Sequence, residues 1–261
     1  MQLRRLFQTL SPVVFALSIG AQCSAQIKAE DASQAATKII NDALTAMGGS
    51  AAWSSIADST VTGSCTGSSV IGIAQATVPF TWITTKNEFR YESGVGGQGS
   101  ALISDHGRPL ISEPTGTVQV ISQMASLLRP YHLPGTVLLQ ALDDSNYRVS
   151  VLDQEILGST TTSHIEVVHW LVRAPEAGSL AEWWFDSSTN LPVKVTFQLP
   201  SQSDQAYFPV TYSFSRWGVG PNGIMIPNEI DQAIDSVGDV TCSTTGFSTN
   251  TNPTPALFDA L

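Results

Sequence analysis

The fold class is decided by residues 181–199, AEWWFDSSTNLPVKVTFQL. In the second half of this stretch Val193, Val195 and Phe197 alternate with polar residues, which is typical of a β-strand with one face on a core and the other toward solvent. The first half, residues 181–186, is rich in aromatic side chains and also has the composition of a strand. Together they predict two antiparallel strands in a sheet that is covered on one face.

Similar segments follow one another along most of the chain. Residues 59–66, 69–78 and 164–173 are rich in β-branched residues, and the turn Asp-His-Gly at 105–107 separates two short apolar segments as in a hairpin. Strands do not alternate with long helices, which argues against a parallel nucleotide-binding sheet. The sequence predicts an α+β fold that is mostly antiparallel β, with about ten strands.

Helical spacing is confined to two regions. Between residues 31 and 47 apolar side chains recur three and four positions apart, and two glycines end the pattern. Residues 122–128 and 137–142 have similar spacing and are separated by prolines and a glycine. We expect an N-terminal helix packed on the sheet and a short helical lid. Residues 243–255, rich in Ser, Thr, Asn and Pro, are expected to form a loosely ordered tail.

Charge and the N-terminal residues limit the compartment and the partners. The 261 residues include 12 basic and 22 acidic ones, which argues against nucleic acid because phosphate binding needs a cationic surface. Residues 1–25 combine Arg4 and Arg5 with an apolar run and small residues ending at Ala25, as a cleaved signal peptide does. We expect an exported protein, periplasmic or otherwise secreted, with one domain over residues 26–261. No later segment is apolar for the roughly 20 residues that a membrane-spanning helix needs.

The cysteines fit an exported protein. Cys23 lies within the expected signal peptide, and Gln22 precedes it where a lipidation motif would have a small residue. Cys65 and Cys242 then remain as a pair, which favours a disulfide that holds an early strand beside the last one. Two buried free thiols are the alternative.

The sequence offers no catalytic residue, no metal site and no cofactor motif. Residues 94–99 match G-x-G-x-x-G, but a strand follows them instead of the helix that would bind a pyrophosphate. His164 and Glu166 share a strand face and provide only two ligands for a metal. The acidic residues that could supply the carboxylate pair of a hydrolase are Glu182, Asp186, Asp231 and Asp235. Nothing in the sequence pairs them.

Aromatic side chains in the predicted strands are the candidates for ligand binding. One interpretation is a packed β core made of these rings. The other is a concave sheet whose aromatic face receives an apolar ligand. The residues predicted to line that face are Trp82, Phe89, Tyr91, Trp170, Trp184, Phe197, Tyr212 and Phe214.

Three groups of residues resemble the lipoprotein-sorting carrier proteins of the bacterial periplasm. The segments that carry the resemblance are residues 43–49 (ALTAMGG) with the strand at 56–63, residues 184–193 (WFDSSTNLPV), and residues 212–217 with Gly223 and Ile226-Pro227. The resemblance implies an incomplete antiparallel β-barrel that helices close on one side, with an apolar cavity for acyl chains. It identifies no individual ligand-binding residue, because the matching motifs are turns and strand ends.

The leading hypothesis is an exported, non-enzymatic protein that holds a lipid, an acyl chain of a lipoprotein or another apolar small molecule in a concave sheet. One alternative is an envelope protein-interaction module with a filled core, which would have a protein partner. Another is a hydrolase of envelope polymers, which would need acidic or histidine side chains that converge in a cleft.

Overall fold

The structure is a computed structural model that describes residues 31–67, 77–86, 88–94, 100–105, 108–113, 116–119, 130–169, 180–200, 207–234 and 238–259. Within these ranges the chain forms three α-helices and one antiparallel sheet of 14 strands. The helices are α1 (residues 31–46), α2 (Ser50–Ser54) and α3 (Pro134–Asp143). The strands are β1 (Asp58–Gly67), β2 (Val78–Thr85), β3 (Phe89–Ser93), β4 (Ser100–Asp105), β5 (Arg108–Glu113), β6 (Gly116–Gln119), β7 (Tyr147–Val151), β8 (Glu155–Leu157), β9 (Thr160–His169), β10 (Leu180–Asp186), β11 (Pro192–Pro200), β12 (Tyr207–Val219), β13 (Met225–Ile234) and β14 (Gly238–Thr249).

The strands pair in the order β6-β5-β4-β3-β2-β1-β14-β13-β12-β11-β10-β9-β7, and β8 also pairs with β9. The first and last strands of the described chain, β1 and β14, therefore lie side by side inside the sheet. The sheet is open and not closed into a barrel, because β6 stands at one end of this order and β7 at the other. The predicted fold class, an incomplete antiparallel barrel with few helices, is confirmed. The predicted strand number of about ten is too low, since short strands such as β6 and β8 have few residues in which alternation can be recognised.

A disulfide links the two strands that bring the chain ends together. Cys65 on β1 and Cys242 on β14 lie directly opposite each other in the register and are bonded, with their Cα atoms 4.0 Å apart. The predicted pairing of these cysteines is confirmed, and the free-thiol alternative is wrong.

The expectation of a loosely ordered tail from residue 243 is wrong over its first half. Residues 243–249 are the second part of β14 and pair with β1, which supplies the backbone hydrogen bonds that this polar sequence needs. Beyond the strand, the Asp58 carboxylate accepts hydrogen bonds from the backbone N–H groups of Thr251 and Asn252 at 2.7 and 3.1 Å. Phe258 is buried near the end of the described chain, against Ala101.

The N-terminal helix is confirmed, and its apolar stripe is fully buried. Ala36, Ile40, Ala43 and Leu44 lie at helical spacing and join the main core with residues from the strands. At its end, Gly48 has a φ of +107°, and a Cβ there would lie 2.6 Å from the carbonyl oxygen of Gly223. Two of the motifs that resemble the sorting proteins therefore meet at one close backbone contact.

The helix predicted at 137–142 is confirmed as part of α3. Pro134 begins α3, which buries Val137, Leu138 and Ala141 as one stripe. Gly135 of α3 lies against the Trp53 ring of α2, where an added Cβ would come within 2.1 Å of Cε2. The predicted helix at 122–128, residues 69–76 of the strand predicted at 69–78, and the signal peptide at 1–25 lie outside the described residues.

Candidate ligand-binding face

One face of the sheet packs against the helices, and we call it the inner face. Alternate residues of the strands point toward it, so its members follow from the pairing register. The aromatic side chains on the inner face include Phe80, Trp82, Phe89, Tyr91, Trp183, Phe185, Phe197, Tyr212 and Phe214. Six of the eight predicted binding residues belong to this set. Trp170 lies outside the described residues.

Trp184 lies on the opposite face of the sheet. Its indole N–H donates to Glu155 Oε2 at 2.6 Å, its ring stacks on His164 at 4.1 Å, and Lys194 Nζ lies 3.9 Å from the ring centroid. Its neighbour Trp183 instead faces inward and is fully buried. Trp184 therefore cannot share a ligand with the inner rings.

The inner rings form two groups on distant strands. On β2 and β3, the Trp82 ring contacts the edges of Phe89 and Tyr91, with centroids 5.3 and 5.5 Å apart. On β11 and β12, Phe197 and Tyr212 form an edge contact at 5.6 Å. In the strand order β2 and β11 are five spacings apart, which is about 24 Å in a flat sheet.

Two consecutive residues before α3 connect these groups. Tyr131 stacks on Phe197 with ring centroids 4.3 Å apart, while His132 stacks on Trp82 at 3.4 Å. Consecutive Cα atoms are only about 3.8 Å apart, so one dipeptide can reach both groups only if the sheet curls around it. The inner face is therefore concave, and the Tyr131-His132 dipeptide lies within it.

The environment of these side chains is apolar. Burial raises the pKa of Tyr212, and the nearby hydroxyls of Tyr91 and Tyr131 raise it further. Burial also raises the pKa of Tyr91, which a hydrogen bond with Ser93 partly offsets. Burial lowers the pKa of His132 well below its usual value, so the imidazole is neutral near pH 7. The inner face thus disfavours charge on each of these groups.

Several polar atoms on this apolar face have no hydrogen-bond partner among the described residues. They are Trp82 Nε1, Thr84 Oγ1, His132 Nδ1, His132 Nε2 and Trp183 Nε1. Buried side-chain polar atoms in proteins are in large majority hydrogen-bonded, so such a group is unusual.

Three members of the candidate site were not predicted from the sequence: Tyr131, His132 and Trp183. Trp183 was left out because alternation shows that it and Trp184 point to opposite faces but not which face is covered. Tyr131 and His132 lie outside every predicted strand. The signal that could have found them is two aromatic rings between Pro130 and Pro134, next to the lid helix.

The residues predicted as candidates for acid–base catalysis or metal binding make hydrogen bonds with separate partners. His164 Nε2 lies 3.1 Å from Glu182 Oε2, and Glu166 accepts a hydrogen bond from Ser150. Asp186 accepts from Ser188, which lowers its pKa, and Asp231 accepts from Thr241. Asp235 lies outside the described residues. In the described part of the chain no three His, Cys, Asp or Glu side chains are placed to hold a metal ion.

Comparison with known proteins identifies the fold. No protein-family model and no curated protein matches the sequence. Among solved structures, the chain is similar to a domain described as an outer membrane lipoprotein-sorting protein from Vibrio parahaemolyticus (12% identity, TM-score 0.55), with 87% of this chain and 97% of that one covered. It is also similar to a DUF1329 family protein from Desulfovibrio piger (14%, TM-score 0.56, 87% and 97% covered). A LolA superfamily protein from Nitrosomonas europaea gives 13% identity and a TM-score of 0.55, with 86% and 97% covered.

These likenesses extend over most of the chain at low sequence identity, so they establish the fold. Within the described ranges, no helix has both the length and the apolar character to span a bilayer. The chain has the fold of the LolA superfamily and of lipoprotein-sorting domains, which is the resemblance that its three motifs predict.

Proposed function

We propose that this protein is a non-enzymatic carrier that binds the acyl chain of a lipid on the concave inner face of its sheet. In the bound state the acyl chain takes the place of the Tyr131 ring against Phe197, Tyr212 and Trp183. The binding residues are the inner-face aromatics, with Trp184 excluded because it lies on the other face.

The observation that carries this proposal is the way the inner face is covered. Tyr131 comes from outside the sheet, and its ring covers part of the aromatic layer on β10–β12: it stacks on Phe197 and lies 6.0 Å from Trp183 and 6.1 Å from Tyr212. A core built only for stability has no need to take its covering ring from a short segment between two prolines. Such a segment can move its ring away while the sheet keeps its backbone hydrogen bonds.

The energetics allow the exchange. Burying each methylene of an acyl chain contributes about 0.8 kcal/mol, so a long chain offsets the loss of one buried tyrosine and the entropy of association. Entry requires α3 to swing away from α2 and the inner face, with Pro130 and Pro134 at the ends of the moving connection.

The location follows from the sequence prediction of a signal peptide. We propose that the chain is exported, in the periplasm or beyond it, where acyl chains in transit between membranes need a carrier. The Cys65–Cys242 disulfide supports this location, because such bonds persist in oxidising compartments.

The test is to purify the exported protein without detergent, extract it with organic solvent and analyse the extract by mass spectrometry. We expect an acyl lipid in a stoichiometric amount. A second portion, stripped of lipid, should bind cis-parinaric acid methyl ester, a fluorescent acyl probe, saturably. A protein that yields no lipid and binds no acyl probe would rule out the carrier function.

A second candidate function is an envelope protein-interaction module, and the burial of the inner face on β9 and β10 favours it. Trp183 and Ile165 are fully buried by the chain's own residues, as in a filled core. This alternative predicts no acyl binding and an inner face that stays unchanged when a partner binds. The lipid extraction above separates the two functions.

A further inference from the structure

The partnerless polar atoms of the inner face are concentrated around Trp82. The Trp82 indole N–H has no acceptor among the described residues, and neither nitrogen of the stacked His132 has a partner there. Thr84 lies two residues along the same strand and on the same face, and its buried hydroxyl also has no hydrogen-bond partner among the described residues. Leaving such a group unpaired costs about 1–3 kcal/mol, so an apolar core would be more stable with apolar residues here.

These atoms define what a ligand group must offer. An indole N–H only donates, whereas a neutral imidazole donates from one nitrogen and accepts at the other. The matching group therefore has a hydrogen-bond acceptor within reach of the Trp82 N–H. A donor on the same group, as in an amide or an alcohol, would satisfy the second imidazole nitrogen.

The charge distribution excludes an ionised group. The charged residues of the strands that carry the inner aromatics lie at alternate positions on the other face. Arg90 there binds Glu92 and the carbonyl oxygen of Leu257 at 2.6 Å. Lys194 lies over Trp184 on that same face. A carboxylate or phosphate buried beside Trp82 would find no cation on the inner face among the described residues to compensate the loss of its hydration, which costs several kcal/mol.

We propose that the Trp82 indole N–H and the His132 imidazole form a hydrogen-bonding site for the uncharged carbonyl group of an acyl ester or amide. This inference rests on the proposed carrier function and specifies its ligand class. The acyl chain would extend from this site along the inner face toward Phe197 and Tyr212. In the closed, ligand-bound state His132 is again stacked on Trp82, and only the ring of its neighbour Tyr131 is displaced.

The experiment compares an ester and an acid that share one acyl chain with an alkane that has no polar atom. The lipid-free protein is titrated at neutral pH with cis-parinaric acid methyl ester and with ionised cis-parinaric acid, and hexadecane is used as a competitor without polar atoms. We expect the ester to bind more tightly than both. Trp82→Phe keeps the stacked ring and removes the N–H, and it should reduce the preference for ester over hexadecane by about three- to tenfold, the range expected for one net hydrogen bond.

His132→Phe provides a second readout that does not depend on the ligand. It keeps an aromatic ring on Trp82 and removes two unpaired nitrogens, so it should raise the melting temperature of the lipid-free protein while lowering the ester preference. Trp184→Phe is the matched control, since it makes the same substitution on the opposite face of the sheet, where the indole N–H donates to Glu155, and it should leave the ester preference unchanged.

The outcomes separate the two proposals. If neither ester, acid nor hexadecane binds, the carrier function itself is wrong. If the ligands bind but Trp82→Phe and His132→Phe keep the ester preference of the wild type, or if Trp184→Phe reduces it equally, the carrier function stands and the carbonyl site is overturned. Tighter binding of the ionised acid than of the ester also overturns it.

Discussion

Replacing Tyr131 by alanine tests whether its ring occupies the position of an acyl chain. The ring is 1% exposed and stacks on Phe197 at 4.3 Å, with Tyr212 and Trp183 around it. Removing a buried aromatic side chain costs about 3–5 kcal/mol, so the lipid-free variant should unfold at clearly lower denaturant concentration.

The same change should strengthen ligand binding. In the wild type an acyl chain must displace the ring, whereas in Tyr131→Ala the apolar space is already open to it, as engineered apolar cavities are to benzene. If half of the lost stabilisation, about 2 kcal/mol, no longer opposes binding, the affinity rises more than tenfold. Fluorescence titration with cis-parinaric acid methyl ester measures the affinity, and urea unfolding with and without the ester measures the stability.

Phe258→Ala serves as the control for a general loss of stability. Phe258 is also buried, but in a separate cluster with Ala101 and Ile103, away from the main core. It should lower stability by a similar amount and leave the affinity for the ester unchanged. The reasoning is refuted if Tyr131→Ala lowers stability without strengthening binding, because the ring would then be a structural part of a filled core.

Three further predictions concern the parts of the fold that hold this face. Replacing Cys65 and Cys242 by alanine removes a disulfide between residues 177 apart in the chain. Loop entropy predicts that the free energy of unfolding falls by about 5 kcal/mol at most. Urea unfolding should give the same free energy for the variant and for the reduced wild type. Gly135→Ala places a Cβ against the Trp53 ring and should destabilise the packing of α3 by about 1–3 kcal/mol. Amide hydrogen exchange in α3 should then be faster, and unchanged exchange would contradict this packing. The pKa of His132 in the folded protein lies below the unfolded value near 6.5, so the unfolded chain binds the extra proton as pH falls. The free energy of unfolding should therefore decrease below about pH 6.5, by up to 1.4 kcal/mol per pH unit. His132→Phe should remove this part of the pH dependence, and an equal dependence of the unfolding free energy on pH in both proteins would refute the prediction.

Periodicity in the sequence determined the local structure. Alternation in residues 192–199 assigned each side chain to one of two faces, and the stripe ending at Met47 assigned the buried side of α1. These features depend on neighbours within a few residues, so a single chain read in order contains them. The cysteine pair was predictable as well, because only two cysteines remain after the expected signal peptide.

Long-range pairing decided what the sequence left open. Residues 243–249 have the composition of a loop and become a strand because β1 offers them a partner from the other end of the chain. Trp183 and Trp184 are equivalent in the sequence, and only the side on which the helices pack makes one an inner residue and the other an outer one.

The candidate site was decided by the tertiary structure for the same reason. Tyr131 and His132 acquire their roles from the curvature of a sheet whose strands come from both sides of them in the chain. The sequence by itself determined which faces exist and what they are made of. Only the folded sheet decided which face is concave and which two rings lie inside it, because curvature and contact arise from the sum of many pairings and not from any one segment.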